Sequence, residues 1–258
     1  MICCFSGTGN SLAVANMLSS QLGDEVMRIG KYSGQIVAAD SHTERIIWVF
    51  PVHSWGMPIF FKKFMAECML ADEYEGATHY MVATCGDDAG LTHLMWRRAV
   101  RGRGWNAGGA FTVVMPNTYV ALPGFDVDSK SVEAEKIAAA RDRIESIARA
   151  ISVGAKVDDV VCGAMPGLKT RVVYPAFMAT LIAPSRFRCG DTCVGCGRCV
   201  SVCPLDNVKL DSDTLRPLWG KNCTMCMACY HACPHHAVAW GRFTSGKGQY
   251  FCQINPWK

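Results

Sequence analysis

Residues 193–210 read CVGCGRCVSVCPLDNVKL and residues 223–240 read CTMCMACYHACPHHAVAW, and the two stretches align at an offset of 30 residues. Each carries the spacing C-x2-C-x2-C-x3-C followed by proline. The first run is Cys193, Cys196, Cys199 and Cys203 ahead of Pro204; the second is Cys223, Cys226, Cys229 and Cys233 ahead of Pro234. Three thiolates at this spacing wrap one cubane iron–sulfur cluster, and the fourth, after the longer gap, faces away and serves the other cube. The expected sets are therefore Cys193, Cys196, Cys199 and Cys233 for one 4Fe–4S cluster, and Cys203, Cys223, Cys226 and Cys229 for a second. Zinc also takes four thiolates, but its sites usually separate two C-x2-C pairs by a longer loop. So short a repeat predicts two similar half-units related by a pseudo-two-fold, in a small α+β domain over residues 188–258.

The cysteine count fits this reading. The chain has 15 cysteines in 258 residues, and eight of them are in the two runs. An odd count argues against a disulfide framework. The opening MICCFSGTGN has no basic stretch ahead of an apolar one, which predicts a cytoplasmic, reducing location. Cys189 aligns with Trp219 across the repeat and is expected to be a packing position. It is left outside the ligand set, with Cys3, Cys4, Cys68, Cys85, Cys162 and Cys252. His231, inside the second run, is either a donor to a cluster sulfur or a solvated side chain.

Upstream, residues 1–153 alternate short apolar strands with helical patterns. Strand-like pieces run over 2–5, 25–29, 45–52, 79–84 and 110–115, and helical ones over 10–22, 58–70, 91–101 and 132–151. This is the pattern of an α/β doubly wound parallel five-stranded sheet in the order 2-1-3-4-5. Directly after the first strand come Ser6, Gly7, Thr8, Gly9, Asn10 and Ser11, then a helix. Glycines let the backbone close around an anion, the helix N-terminus offers free N–H groups, and the hydroxyls add donors. The loop has no lysine and no GK[ST], which excludes a nucleotide-hydrolysing loop and suits a terminal phosphate such as that of FMN. At the switch point of such a sheet the loops after strands three and four border the ligand. They supply Pro51, Val52, His53, Ser54, Trp55 and Gly56, and Thr84, Cys85, Gly86, Asp87 and Gly90. Trp55 is expected to stack on the flavin ring.

Residues 154–187 break the rhythm with glycines and prolines around an apolar piece and read as a connector. Its apolar stretch, 172–184, is too short to span a bilayer. With 26 basic and 22 acidic residues the net charge is +4, too small an excess to argue for nucleic acid or an anionic membrane surface.

The motif SGTGNS at 6–11 resembles the flavodoxin phosphate motif, and residues 188–258 resemble a double-cluster bacterial ferredoxin. Together they look like the fused flavodoxin–ferredoxin proteins often labelled EFR-type ferredoxins. MPNTY at 115–119 and GKGQY at 246–250 look like two further features of that family. The resemblance implies a flavodoxin-like domain, FMN, two 4Fe–4S clusters and electron transfer with a redox partner protein. Three readings follow: an internal relay between clusters and flavin, a flavin-dependent reductase of a small organic substrate fed by the clusters, or a tightly bound redox subunit of a larger complex. In the second, MPNTY and the connector wall the substrate pocket.

Overall fold

The computed structural model describes residues 1–30, 35–36, 44–71 and 76–252; the end of the expected C-terminal tail lies outside them. Its central sheet is parallel and comprises β1 (Ile2–Cys4), β2 (Val26–Arg28), β3 (Arg45–Pro51), β4 (Thr78–Cys85), β5 (Asn106–Val114) and β6 (Asp158–Asp159). The order is β2-β1-β3-β4-β5-β6. The doubly wound class and the 2-1-3-4-5 order hold for the first five strands, but the sheet has six strands, not five. The sixth comes from the expected connector. Its two residues carry no hydrophobic pattern, and ion pairs from Asp158 to Arg97 and from Asp159 to Arg143 hold them at the edge.

Period-two alternation sends strand side chains to two cores. On one side Ile2, Cys4, Ile47, Val49, Val82, Phe111 and Val113 meet α1 (Asn10–Leu22), which supplies Val14 and Leu18. On the other, Cys3, Phe5, Trp48, Phe50 and Met81 meet α2 (Ile59–Glu67) and α3 (Thr92–Gly102) through Phe61, Phe64 and Trp96. α4 (Lys130–Ser152) joins the first core through Ile144, Ile147 and Ile151. Burial on both faces explains why β3 and β4 read as nearly continuous apolar runs.

The second core does not stop at the sheet. It continues into Phe187, Leu205, Met225, Met227, Tyr230 and Trp240 of the cysteine-rich region, so the two parts share packing. In that region the repeat is structural as well as textual. Strands Phe187–Cys189 and Pro217–Trp219, helices Arg198–Ser201 and Ala228–His231, and strands Val208–Leu210 and Val238–Trp240 match pairwise at the 30-residue offset. The strands pair antiparallel, 208–210 with 217–219 and 187–189 with 238–240, giving the expected α+β unit. Among the described residues no helix is long and apolar enough to cross a membrane.

Under α3 and α2, His79 is 1% exposed, and its Nδ1 accepts a 2.9 Å hydrogen bond from Trp48 Nε1. The imidazole also stacks on Trp105, with ring centroids 4.7 Å apart. Burial lowers its pKa to about 4, so the folded protein holds it neutral while the unfolded chain protonates near 6.5. Stability should be flat above about pH 6.5 and fall as pH drops toward 4, by about 1.4 kcal/mol per pH unit for this one group. Urea unfolding across that range will show the slope, and His79→Gln, which keeps an acceptor for Trp48, should make it shallower.

Candidate functional site

The C-terminal ends of β1, β3, β4 and β5 surround one cavity of about 540 Å³, partly open to solvent. The structure brings together there Ser6, Gly7, Thr8, Asn10, Ser11, Pro51, Val52, His53, Thr84, Cys85 and Gly86 of the expected set. Local bonds set their roles. Ser11 Oγ is 2.7 Å from Thr84 Oγ1, so this hydroxyl already serves the protein. Asn10 Nδ2 donates to the Pro116 carbonyl at 2.9 Å, tying the first loop to the loop after β5. Gly9 caps α1 in the left-handed region (φ 99°) and shapes the turn without lining the cavity.

Ser54, Trp55, Gly56, Asp87 and Gly90 do not line it either. The connector packs on Trp55, Gly56 and Gly90 instead. Its helical stretch, 166–180, puts Lys169 Nζ 5.0 Å from the centre of the Trp55 ring, and Thr170 Oγ1 donates to the Trp55 carbonyl at 2.8 Å. A Cβ on Gly56 would strike the Tyr174 ring, and one on Gly90 would strike Thr170. Asp87 pairs with Lys136 at 3.6 Å. Trp55 is thus an anchor for the connector, and the stacking expected of it is corrected. The aromatic residue at the cavity is Tyr119. It belongs to Met115–Tyr119, the MPNTY segment, which forms a whole wall.

Three lining side chains have buried polar atoms without a protein partner: Ser6 Oγ, His53 Nδ1 and Tyr119 Oη. Each costs about 1–3 kcal/mol if nothing meets it. Burial lowers the His53 pKa to about 4. The ring is therefore neutral, and its Nδ1 has no protein partner. Hydroxyl donors, a helix N-terminus and no lining cation suit a phosphate monoester, and a neutral acceptor suits a ring N–H. These residues fit FMN.

Two further hollows, each about 340 Å³, lie in the repeat. One is lined by Cys193, Cys196, Cys199 and Cys233, the other by Cys203, Cys223, Cys226 and Cys229. Among the described residues no three His, Cys, Asp or Glu side chains converge on a single ion. A lone zinc would need them about 2.3 Å from one centre; sulfurs set around a hollow suit a cluster. Each hollow has two buried cysteines, and the hollows differ at one equivalent position: Cys196 is exposed, while Cys226 is half-buried.

Cys226 lines both the second hollow and the flavin-type cavity. A Cβ on Gly7 would sit 2.6 Å from Cys226 Cβ and 3.2 Å from its Sγ. The C-terminal GKGQY segment secures the approach. Lys247 Nζ donates to the carbonyls of Val120, Leu122 and Phe125, and Gln249 Nε2 to those of Tyr230 and Cys233. Tyr250 Oη donates to Asn10 Oδ1 at 3.0 Å, and its N–H to His231 Nδ1 at 3.2 Å. That leaves His231 Nε2–H to donate to the Thr118 carbonyl at 2.7 Å. His231 is therefore a brace between the second run and the cavity wall; it is neither solvated nor a cluster donor. The run-to-cavity contact through Cys226 escaped sequence reasoning, because the two runs look equivalent on paper.

A family model described as a 4Fe-4S dicluster domain matches residues 192–238, and this region is a 4Fe–4S cluster-binding domain. Among solved structures, the Trp repressor binding protein from Bacillus subtilis is similar at 14% identity and TM-score 0.36, over 55% of this chain and 97% of that one. A flavone reductase is similar at 16% identity and TM-score 0.38, over 66% of this chain and 69% of that one. No curated protein sequence matches the chain.

Gly7→Ala should destabilise the protein by about 1–3 kcal/mol, because the added methyl meets Cys226. Gly167→Ala, where a Cβ meets nothing within 4 Å, should be neutral or stabilising. Chemical denaturation of both variants tests the contact.

Proposed function

We propose that this chain is an intramolecular electron-transfer protein of the fused flavodoxin–ferredoxin kind, with two 4Fe–4S clusters and one FMN. In this reading Cys193, Cys196, Cys199 and Cys233 hold the outer cluster, Cys203, Cys223, Cys226 and Cys229 hold the inner one, and the Ser6–Ser11 loop holds the FMN phosphate. When bound, each cluster carries one electron at a time and the flavin one or two.

The observation that carries the reading is Cys226, a wall shared by the second hollow and the flavin-type cavity. It supports the order partner, outer site, inner site, flavin. In this reading a redox partner protein meets the chain beside Cys196, which is exposed. The covalent link and the shared core replace a diffusional encounter between two carriers with a fixed contact. Tyr119, Thr118 and Asn117 close the wall opposite the phosphate loop, and His53 offers the ring its acceptor.

Protein purified without oxygen should contain about eight irons, matching acid-labile sulfide and one FMN per chain. Cys226→Ser should lower the iron content toward about four and slow flavin reduction by a one-electron donor several-fold or more. Undiminished flavin reduction in this variant, at reduced iron content, would overturn the proposed route.

A further inference from the structure

The 30-residue repeat makes the two hollows directly comparable, and they differ in a chemically specific way. Trp219 and Thr224 line the second hollow, and both have a buried donor, Nε1 and Oγ1, without a protein partner of ordinary geometry. Thr224 is 2% exposed. The Trp219 ring stacks on Phe187, centroids 5.3 Å apart and 11° from parallel, which fixes where its N–H edge points. Cys229 lines the same hollow as this N–H. The equivalents at the 30-residue offset are Cys189, which does not line the first hollow, and Val194, which does. Val194 has no donor and is 63% exposed. The Cys189 thiol, a weak donor, is 3.6 Å from the Gly190 carbonyl.

Two unpartnered buried donors lining one pocket are costly unless acceptors occupy it. Four cysteine sulfurs line the same pocket, and the sulfides of a cluster would add more acceptors. Hydrogen bonds to these sulfurs stabilise the reduced, more negative state more than the oxidised one. The position read from sequence as packing alone, because it accepts either Cys or Trp, thereby acquires a chemical role.

We propose that Trp219 Nε1 and Thr224 Oγ1 donate hydrogen bonds to the sulfur shell of the inner cluster and raise its reduction potential, a pair of donors that the repeat does not reproduce at the equivalent positions Cys189 and Val194. The proposal rests on the reading that Cys203, Cys223, Cys226 and Cys229 hold that cluster. No proton is transferred: the inner cluster takes up one electron from its donor, and the two side chains keep their hydrogens. Solvent access raises the potential of the outer site by a separate route, so the diagnostic quantity is the shift within the inner site. Trp219 and Thr224 are positioning residues.

The test uses the full chain with its cofactors, prepared without oxygen. Trp219→Phe keeps the stack on Phe187 and removes the N–H; Thr224→Val keeps the shape and removes the hydroxyl; Thr224→Ser restores a hydroxyl. Iron content is measured first, then each cluster's potential by titration followed with electron paramagnetic resonance. At wild-type iron content one potential should fall in Trp219→Phe and Thr224→Val, fall further in the double variant, and stay put in Thr224→Ser. The other potential should not move. Unmoved potentials at full iron content, or equal shifts of both clusters, would overturn the donor roles. Only about four irons in the unmutated chain would overturn the two-cluster reading instead. Should the variants fail to load, the unmutated protein carrying 15N-labelled tryptophan decides: an indole-nitrogen coupling to the reduced cluster by pulsed electron paramagnetic resonance supports Trp219 as a donor, and no coupling removes it.

Discussion

Cys226 has its Cβ where a side chain on residue 7 would have to be, and much of the molecule is arranged around that approach. The loop after β1 can come this close only because Gly7 carries no side chain. A second glycine makes the same accommodation one strand over. A Cβ on Gly30 would lie 2.4 Å from the Pro204 carbonyl, just after the first run's last cysteine. Two bare backbone positions at the ends of neighbouring strands thus receive the cysteine-rich unit. Contact through backbone and thiol, with no intervening side chain, is the shortest separation two packed elements can reach.

Holding so close an approach requires bracing, and it is distributed. Lys247 holds the 120–125 loop through three carbonyls, Gln249 grips the helix of the second run, and Tyr250 reaches Asn10. A buried neutral histidine adds fixed hydrogen-bond direction. His231 joins the second run to Thr118 and to the Tyr250 N–H. Burial keeps its imidazole neutral, so one ring nitrogen accepts while the other donates. Protonation, which makes both nitrogens donors, is the vulnerability of such a joint.

The parts legible in the sequence are those where local chemistry dictates spacing. Cluster-type cysteine runs have a geometry that no packing context alters, and the buried parallel strands announce themselves as apolar runs. Trp55 was misread for the opposite reason. Its setting depends on Thr170 and Lys169, which are remote in sequence and fold back from the connector. β6 was missed because two aspartates have no apolar pattern, and only arginines on other elements keep them in register. Asymmetry between the runs was visible as letters but not as meaning. Met225 and Met227 replace Gly195 and Gly197 at left-handed positions, and nothing local says why.

Packing supplies that reason. Methionine with φ near +57° is strained by about 1–3 kcal/mol relative to glycine. Met225 and Met227 are 4% and 2% exposed, inside the core shared with the sheet, and burying a methionine is worth about 1.5–3 kcal/mol. The two terms offset one another in the second run. In the first, Val194 faces solvent, no such burial is on offer, and glycine carries the same turn without strain. A repeat that folds as two equal halves therefore becomes directional once one half is buried against the sheet. The buried half gains core methionines, an indole and a hydroxyl at its hollow, and a shared wall with the flavin-type cavity. The other keeps its exposed cysteine and small residues toward solvent.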